Sequence, residues 1–522
     1  MQLCNKPAAA CGGRRAVRVA PVRVGRTNRV CVVAQAVDAP VAPVAVKANG
    51  EAVHVGAAHA HRYPGESKYV EDLITKLRSR DPDQAEFHQA VDEVLGDVLP
   101  LLHAEHEFKA VLERLCEPER QIMFRVPWID DSGRVRVNRG FRVQFNSAIG
   151  PYKGGIRFHP TVTLSVMKFL GFEQMFKNAL TTLPMGGAKG GSDFDPKGKS
   201  DAEVMRFCQS FMLELSRHIG ANTDVPAGDI GVGGREIGYM FGQYKRVTNE
   251  FSGVLTGKAP FWGGSYIRPE ATGWGVVYFA DEILRDREGL LATRGGAAGP
   301  AAGLAGKRCL VSGSGNVAQF AADKLLTLGA TVLTMSDSTG YVIEPNGFTR
   351  EALDQVIHIK SGRRTSLREY ESSTGGKFVA GARPWHAGVA ADLALPCATQ
   401  NEVNSKDAAA LTAAGVYLLL EGANMPTTPR ALRHLETNGC IVAPGKAANA
   451  GGVAVSGLEM AQNAGFSQWS APDVDARLQA IMKGVYASAS AASRRFDVSL
   501  QAGANIAGFQ KVARSMIDQG AV

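Results

Sequence analysis

Several features that would place the chain in a specialised class are missing from the sequence. Its 522 residues contain no uninterrupted apolar run near the roughly 20 residues that a membrane span needs, which excludes a membrane protein. The eight cysteines include no Cys-x-x-Cys pair. The sequence therefore indicates neither a zinc site nor a disulfide framework, and we predict no metal. A hydrophobic content of 45% and a charged content of 21% are ordinary for a soluble globular protein, and the length suits two domains.

Acidic residues are absent before Asp38, although the same stretch carries seven basic side chains. The rest of the chain is nearly neutral, with 51 basic and 50 acidic residues. The net charge of +8 therefore belongs to the N-terminus. A basic surface for nucleic acid is not predicted on the body of the protein.

The N-terminal stretch is typical of an organelle transit peptide, because it is Arg-rich, free of acids and followed by a Pro/Ala/Val-rich segment. We assign residues 1–36 to such a peptide and residues 37–61 to a flexible linker. The sequence RVCVVAQA at 29–36 looks like a plastid processing region, which favours a chloroplast over a mitochondrion. A disordered tail without a targeting role is the alternative.

Residues 62–265 combine helical and strand-like patterns, which predicts a mixed α/β substrate domain. Helices are indicated by apolar residues at three- and four-residue spacing, and strands by alternation of apolar and polar residues. The predicted elements are helices within 69–116, strands at 121–126 and 134–145, and helices at about 161–182 and 200–219 on either side of a glycine loop.

A second α/β unit is predicted at 266–495, with strands and helices alternating as a parallel sheet requires. A C-terminal helix within 496–522 is expected to return to the substrate domain. The predicted elements are a helix at about 271–288, a Gly/Ala-rich surface loop at 295–306, a strand, turn and helix from Lys307 to Leu328, strands at 331–337, 391–395 and 416–420, and helices at about 449–463 and 473–493.

The segment Gly313-Ser314-Gly315-Asn316-Val317-Ala318 follows an apolar strand and opens a helix. Such glycines allow a tight turn and close approach of a pyrophosphate to the helix N-terminus. A merely structural glycine turn is the alternative. The context predicts a Rossmann-like dinucleotide-binding domain, so the fold class is α/β with two domains and a cleft between them.

The choice of dinucleotide is left open by the next strand, which ends at Ser336-Asp337-Ser338. An acidic side chain there normally holds the ribose hydroxyl of NAD and repels a 2′-phosphate. The hydroxyls beside it, with Lys360, Arg363 and Arg364 downstream, could instead receive the phosphate of NADP. Spacing alone does not decide between the two coenzymes.

Lys189 lies between two glycine pairs, Gly186-Gly187 and Gly190-Gly191. Glycine has no side chain to hold a small substrate away, so this loop is expected to let Lys189 approach a substrate closely. An exposed lysine without a role is the commonest alternative for this residue type.

Gln174 and Lys177 are three residues apart on one face of the predicted helix, where an amide and an ammonium can grip one carboxylate. A solvated helix face is the alternative. Lys153, in another glycine-rich segment, suits a second carboxylate and hence a dicarboxylic substrate. Three lysines in one cleft are expected to lower one another's pKa. Asp229, after a predicted Pro-Gly turn, either moves protons or caps that turn.

As a set, these segments resemble the glutamate dehydrogenase family, specifically its small-subunit hexameric branch, over nearly all of residues 62–522. The segments are GPYKGGIRF, FEQMFKN, PMGGAKGGSDFDPKG, DVPAGDIGVGGREIG and SGSGNVA. The resemblance implies NADP (NADPH) as cofactor and a homohexamer in which the substrate domain also mediates oligomerisation. It implies reversible oxidative deamination of L-glutamate to 2-oxoglutarate and ammonium, in ammonium assimilation or glutamate metabolism.

The resemblance also implies a role for each matching residue. Lys189 would be the catalytic lysine and Asp229 its proton-transfer partner. The substrate-binding residues would be Lys177 and Gln174 for the α-carboxylate, Lys153 and Ser456 for the γ-carboxylate, and Gly228 through its backbone. The cofactor-binding residues would be Arg268, Thr272, Gly313, Gly315, Asn316, Val317, Ser336, Asp337, Lys360 and Asn449.

Three other functions compete with this interpretation. A leucine-, valine- or phenylalanine-type dehydrogenase would share the fold, but an apolar pocket would leave Lys153 buried without a partner. NAD could replace NADP as coenzyme. A catalytically idle NADP-binding or scaffolding protein is the third possibility, and the presence of every chemical position argues against it.

Overall fold

Two α/β domains, each built on one sheet, make up the computed structural model, which describes residues 61–286, 303–363, 365–372 and 375–521. One sheet has five strands in the order β1-β2-β4-β3-β5, and the other has seven in the order β12-β11-β10-β6-β7-β8-β9. The predicted fold class is confirmed. The predicted transit peptide, nearly all of the predicted linker and residues 295–302 of the Gly/Ala-rich loop lie outside the described residues.

The substrate domain pairs an antiparallel β1–β2 hairpin with β4, while β3 runs parallel to both β4 and β5. The predicted strands at 121–126 and 134–145 are confirmed. The strands are β1 Arg120–Ile129, β2 Val135–Asn146, β3 Tyr152–Phe158, β4 Gly187–Ser192 and β5 Asp224–Gly228. The helices are α1 Pro64–Arg80, α2 Ala85–Asp97, α3 Leu99–Ala104, α4 Leu112–Leu115, α5 Leu164–Leu180, α6 Asp201–Leu215 and α7 Gly234–Thr248, with a 3-10 helix at His106–Val111.

The predicted glycine loop around Lys189 is wrong, because this segment is the buried central strand β4. Its glycines face protein rather than substrate. A Cβ on Gly187 would lie 2.5 Å from Met175 Cβ on α5, and one on Gly191 would lie 2.4 Å from the carbonyl oxygen of Arg157 on β3. Glycine disfavours strands in general, but here it lets the helix and the neighbouring strands approach β4 closely.

Another local prediction is corrected in the same sheet. Lys153 lies on strand β3, although its segment is rich in glycine. Pro226 lies within β5 rather than in a turn, and Asp229 follows the end of that strand. Proline is tolerated because β5 is at the edge of the sheet and pairs with β3 alone.

The dinucleotide domain has parallel strands β12, β11, β10, β6 and β7, followed by antiparallel β8 and β9 at one edge. The predicted strands at 331–337, 391–395 and 416–420 are confirmed. The strands are β6 Arg308–Val311, β7 Thr331–Asp337, β8 Gly340–Ile343, β9 Lys377–Ala380, β10 Leu393–Leu395, β11 Leu418–Leu420 and β12 Ile441–Ala443. The helices are α8 Ala271–Arg285, α9 Asn316–Thr327, α10 Arg350–Ile357, α11 Ser405–Ala413, α12 Pro429–Thr437, α13 Gly445–Ala448, α14 Gly451–Ala464 and α15 Ala471–Phe496.

The last helix, α16 Leu500–Asp518, packs against the substrate domain. Its buried Ile506, Phe509 and Val512 belong to the same apolar cluster as Phe172 and Phe176 of α5. The five cysteines in the described part of the chain are buried and free. Among the described residues, no helix is long and apolar enough to cross a membrane.

Candidate active site

A cleft between the two sheets brings together residues from both domains. All seven predicted catalytic and substrate-binding residues line it: Lys153, Gln174, Lys177, Lys189, Gly228, Asp229 and Ser456. Four of the predicted cofactor residues also line it: Arg268, Thr272, Val317 and Asn449. The lining carries five basic side chains, those of Lys153, Arg157, Lys177, Lys189 and Arg268, against the one carboxylate of Asp229. Such a cleft favours a substrate with more than one negative charge.

Lys189 and Asp229 form the centre of the cleft. Lys189 Nζ lies 3.3 Å from Asp229 Oδ2, and Arg157 Nε donates to the same oxygen at 2.8 Å. Burial would raise the pKa of Asp229, but the charges of Lys189 and Arg157 outweigh it and lower this pKa to about 2. Burial lowers the pKa of Lys189, and Asp229 opposes that shift. A lysine of lowered pKa beside a carboxylate can exchange a proton near neutral pH.

Lys153 is 1% exposed and donates a hydrogen bond to the hydroxyl of Thr256 at 2.7 Å. Within the described residues no carboxylate lies within ion-pair distance of its ammonium group. Burial is the largest cause that lowers the pKa of Lys153 well below its usual value, followed by the charge of Arg268. A buried ammonium without a counterion is suited to receive a carboxylate from a ligand.

Lys177 links the two domains. Its ammonium group donates to Asn449 Oδ1 at 2.7 Å and to Asn424 Oδ1 at 3.1 Å, and both asparagines belong to the dinucleotide domain. Burial lowers the pKa of Lys177 to about 8, with the charge of Lys189 as the second cause. The predicted lowering of the lysine pKa values is confirmed, but burial contributes more to it than mutual repulsion.

The polar face of α5 lines the cleft and is not a solvated surface. Gln174 donates from its amide to Asn178 Oδ1 at 2.7 Å. Asn178 is fully buried and donates in turn to the backbone oxygens of Lys153, at 3.1 Å, and Gly186, at 2.5 Å. One helix therefore presents Gln174 and Lys177 while it anchors the strands that carry the other two lysines.

The sequence predicted one helix for Asn449 and Ser456, but only Ser456 lies within a helix. Asn449 lies in the break between α13 and α14, and Ser456 is within α14. The break frees the Asn449 amide to donate to the backbone oxygens of Gly422 and Ala423, each at 3.2 Å. Ser456 Oγ accepts from Arg268 Nε at 2.9 Å.

The glycine turn between β6 and α9 fits a dinucleotide phosphate. Gly313 has a φ of +85°, which favours glycine. A Cβ on Gly315 would meet nothing within 4 Å, so the space above the turn is open. No side chain caps the first N–H groups of α9, and these groups remain available to an anion.

The other predicted cofactor residues are held by protein contacts around this turn. Ser336 is buried, and its hydroxyl accepts from the Gly313 backbone at 2.8 Å. Asn316 donates to the backbone oxygen of Pro269 at 2.9 Å. None of Gly313, Gly315, Asn316, Ser336, Asp337 or Lys360 is among the residues that line the cleft.

Asp337 accepts hydrogen bonds from the turn that follows β7 and from the segment between Lys360 and Leu367. Its carboxylate receives the Thr339 N–H and the Leu367 N–H, each at 2.8 Å, and the Lys360 ammonium at 3.1 Å. Arg363 pairs with Glu369 at 3.3 Å, and Arg364 lies outside the described residues. The acid at the end of β7 is therefore neutralised by Lys360.

Sequence reasoning missed three residues of this site: Arg157, Thr256 and Asn424. Arg157 stands within the glycine-rich segment that contains Lys153, so its position in GPYKGGIRF was the available signal. No local pattern marks Thr256 or Asn424, which reach the cleft from loops of distant segments.

Two family models match most of the described chain. The model described as Glu/Leu/Phe/Val dehydrogenase, dimerisation domain, matches residues 118–246. The model described as Glutamate/Leucine/Phenylalanine/Valine dehydrogenase matches residues 263–520. The chain belongs to this family. The family predicted from the sequence is thereby confirmed.

Relatives within the family include proteins named NADP-specific glutamate dehydrogenase. The protein from Chlorella sorokiniana is 56% identical over 454 residues, covering 87% of this chain and 84% of the relative. The protein from Escherichia coli is 54% identical over 456 residues, covering 87% and 99%. A crystal structure of Plasmodium falciparum glutamate dehydrogenase has a TM-score of 0.82 at 52% identity and covers 88% of this chain and 96% of its own.

Proposed function

We propose that the chain is an NADP-dependent glutamate dehydrogenase, which interconverts L-glutamate with 2-oxoglutarate and ammonium. The observation that carries the proposal is the cleft itself, where Lys153, Lys177 and Lys189 meet the single carboxylate of Asp229. Two carboxylates of a substrate would neutralise two of the lysines and leave the third for proton transfer. The names of the relatives agree with this activity.

Each end of the substrate has a matching group in the cleft. Lys177 and Gln174 bind the α-carboxylate, and Gly228 adds a backbone contact. Lys153 and Ser456 bind the γ-carboxylate, since Lys153 is a buried ammonium without a carboxylate partner among the described residues. This arrangement argues against a leucine- or phenylalanine-type substrate, whose apolar side chain would leave Lys153 desolvated and unpaired.

Lys189 and Asp229 carry the proton transfers. Lys189 polarises the carbonyl of 2-oxoglutarate and assists the attack of ammonia and the loss of water. Asp229 accepts and returns protons beside it at 3.3 Å. When bound, the nicotinamide ring supplies or accepts the hydride. Closure of the two domains excludes water from the imine that forms.

The dinucleotide would bind along the carboxyl edge of the parallel strands. Gly313, Gly315, Asn316 and Val317 would hold the pyrophosphate at the N-terminus of α9. Arg268, Thr272 and Asn449 face the cleft, where the nicotinamide end would lie. Ser336, Asp337 and Lys360 would surround the adenosine ribose. Because Lys360 neutralises Asp337, this end tolerates the 2′-phosphate of NADP better than a free carboxylate would.

A steady-state assay with 2-oxoglutarate and ammonium, comparing NADPH with NADH, tests this function. We expect turnover with a preference for NADPH. A preference for NADH would overturn the assignment of Ser336, Asp337 and Lys360. No turnover with either coenzyme would contradict the proposed reaction.

The chain is also proposed to form a homohexamer. Met123, Pro127 and Ile129 of β1 lie on the same exposed face of the hairpin as Val135 and Val137 of β2, and this face also carries the paired Arg125 and Arg139. An edge strand with an apolar face is suited to pairing with a second copy. The matching family domain is described as a dimerisation domain, and a 26% identical relative from Thermus thermophilus, at a TM-score of 0.70, is described as hetero-hexameric.

Residues 1–36 are proposed to direct the protein to an organelle, with the chloroplast favoured. The support is the excess of basic residues without acids before Asp38. Fusion of residues 1–61 to a fluorescent protein in algal cells tests this proposal. Plastid fluorescence is expected, whereas mitochondrial or diffuse fluorescence would contradict it.

A further inference from the structure

Arg157 is the charged residue of the cleft to which the proposed reaction assigns no role. It lies on β3 opposite Gly191 of β4, and its side chain is 15% exposed. Its Nε donates to Asp229 Oδ2 at 2.8 Å, closer than Lys189 Nζ at 3.3 Å. Two cations from neighbouring strands therefore share one oxygen of one carboxylate.

The position of Asp229 depends on this contact because little else fixes its side chain. Asp229 follows β5 and lies against Gly155, where an added Cβ would come within 2.8 Å of Asp229 Cβ. Among the described residues, only Arg157 and Lys189 donate hydrogen bonds to its carboxylate. The charged groups around it are Arg157 on β3, Lys189 on β4, Lys177 on α5, and Lys197, Arg235 and Glu236 at its outer side.

We propose that Arg157 is a positioning residue, which fixes the carboxylate of Asp229 against Lys189 and keeps that carboxylate ionised at neutral and mildly acidic pH. This inference rests on the proposed function, because it concerns the residue that moves protons in that reaction. Arg157 acts through Asp229, and the guanidinium itself takes no part in proton transfer since arginine stays protonated.

The consequence of losing Arg157 follows from the forces on Asp229. Burial is the largest influence on the pKa of Asp229 and raises it, while Lys189 and Arg157 lower it. Without the guanidinium, Lys189 remains as the main described group that opposes burial. An adjacent opposite charge typically lowers a carboxyl pKa by about 1–3 units. The pKa of Asp229 would therefore rise toward the range in which enzymes are assayed.

The test compares kcat/KM for 2-oxoglutarate, with saturating NADPH and ammonium, in wild type and the variants Arg157→Gln and Arg157→Lys from about pH 8 to about pH 5.5. The quantity of interest is the ratio of variant to wild type at each pH. For R157Q this ratio is expected to fall about tenfold or more as the pH decreases. For R157K it is expected to stay nearly level, since the charge is retained.

Arg134→Gln is the matched control. Arg134 also donates from Nε to an aspartate, Asp130 at 3.3 Å, but it is 68% exposed on the β1–β2 turn. Its ratio to wild type should be level across the pH range. A level ratio for R157Q would overturn the proposal, even if the overall rate is reduced, because a merely structural role would lower the rate equally at every pH.

A second measurement separates this proposal from the proposed function. Thermal unfolding of wild type, R157Q, Asp229→Asn and the double variant forms a cycle that reports the coupling of the two side chains without any turnover. A coupling free energy between Arg157 and Asp229 that decreases as the pH falls supports the proposal, even if no glutamate activity is found. Additive effects of the two substitutions would contradict it.

Discussion

At the scale of single residues, we propose that Lys153 determines the charge that the cleft can accept. It is buried, its ammonium group donates to Thr256 alone among the described residues, and burial lowers its pKa well below the usual value. A bound carboxylate would stabilise the protonated form, so binding of 2-oxoglutarate should raise the pKa of Lys153 again. Substrate binding is thereby coupled to proton uptake.

This coupling predicts a pH dependence of affinity. Above the lowered pKa of Lys153, the free protein must take up a proton to bind the γ-carboxylate, so affinity for 2-oxoglutarate should fall as the pH rises. Titration calorimetry with NADPH present, in two buffers of different ionisation enthalpy, measures the protons taken up. Lys153→Leu should take up fewer protons than wild type. Lys68→Leu, at an exposed position, is the control and should take up as many protons as wild type. Equal proton uptake by wild type and Lys153→Leu would contradict the prediction.

The sequence singled out the charged residues that line the cleft more readily than it singled out their partners. Lys153, Lys177, Lys189 and Asp229 stand out by residue type within unusual segments, and all four line the cleft. The contact of Arg157 with Asp229 depends on which strands are neighbours in the sheet, and local sequence does not specify that order. The same holds for Asn424, which reaches Lys177 across the two domains.

At the scale of elements, strand β4 shows why the prediction of a loop was wrong. Its three glycines, one alanine, one lysine and one serine include none of the β-branched residues that favour strands. The glycines are needed instead for close packing, because a Cβ on Gly187 would lie 2.5 Å from Met175 Cβ on α5. Tertiary packing thus overrides local propensity at the strand that carries Lys189.

Gly187→Ala should therefore destabilise the protein. The added methyl group would force α5 away from β4 and cost about 1–3 kcal/mol, as overpacking of a core does. Gly484→Ala is the matched control, because Gly484 lies within helix α15 and an added Cβ meets nothing within 4 Å. That variant should gain about 0.5–1 kcal/mol. Chemical denaturation of both measures the difference, and equal stabilities would refute this account of β4.

At the scale of the whole molecule, the active site exists only where the two domains meet. Lys177 of α5 bonds to Asn449 and Asn424 of the other domain at 2.7 and 3.1 Å, and Lys446 of α13 pairs with Glu173 of α5 at 3.1 Å. These polar contacts hold the cleft together, yet they can exchange partners with a ligand. The contacts that the two domains make without a substrate would therefore not prevent the domains from closing around one.

The proposed homohexamer would use the exposed face of the β1–β2 hairpin as a contact between subunits. Val137→Asp would place a negative charge beside the exposed Pro127 and Ile129, and desolvation of that charge would weaken association. Sedimentation velocity should show smaller species than the wild-type assembly. The same change at Val247, an exposed residue of α7, should leave assembly intact. An unchanged assembly in V137D would contradict the use of this face.

The central claim is that this cleft selects a dicarboxylic 2-oxo acid through Lys153. The most direct measurement is kcat/KM of wild type and Lys153→Leu with 2-oxoglutarate and with the 2-oxo acid of leucine, under the same NADPH and ammonium concentrations. Wild type should strongly prefer 2-oxoglutarate. In K153L the ratio of kcat/KM for 2-oxoglutarate to kcat/KM for the 2-oxo acid of leucine should fall at least about a hundredfold. The reason is that loss of a buried charge pair removes about 3–5 kcal/mol. Unchanged preference for 2-oxoglutarate in K153L would contradict the account.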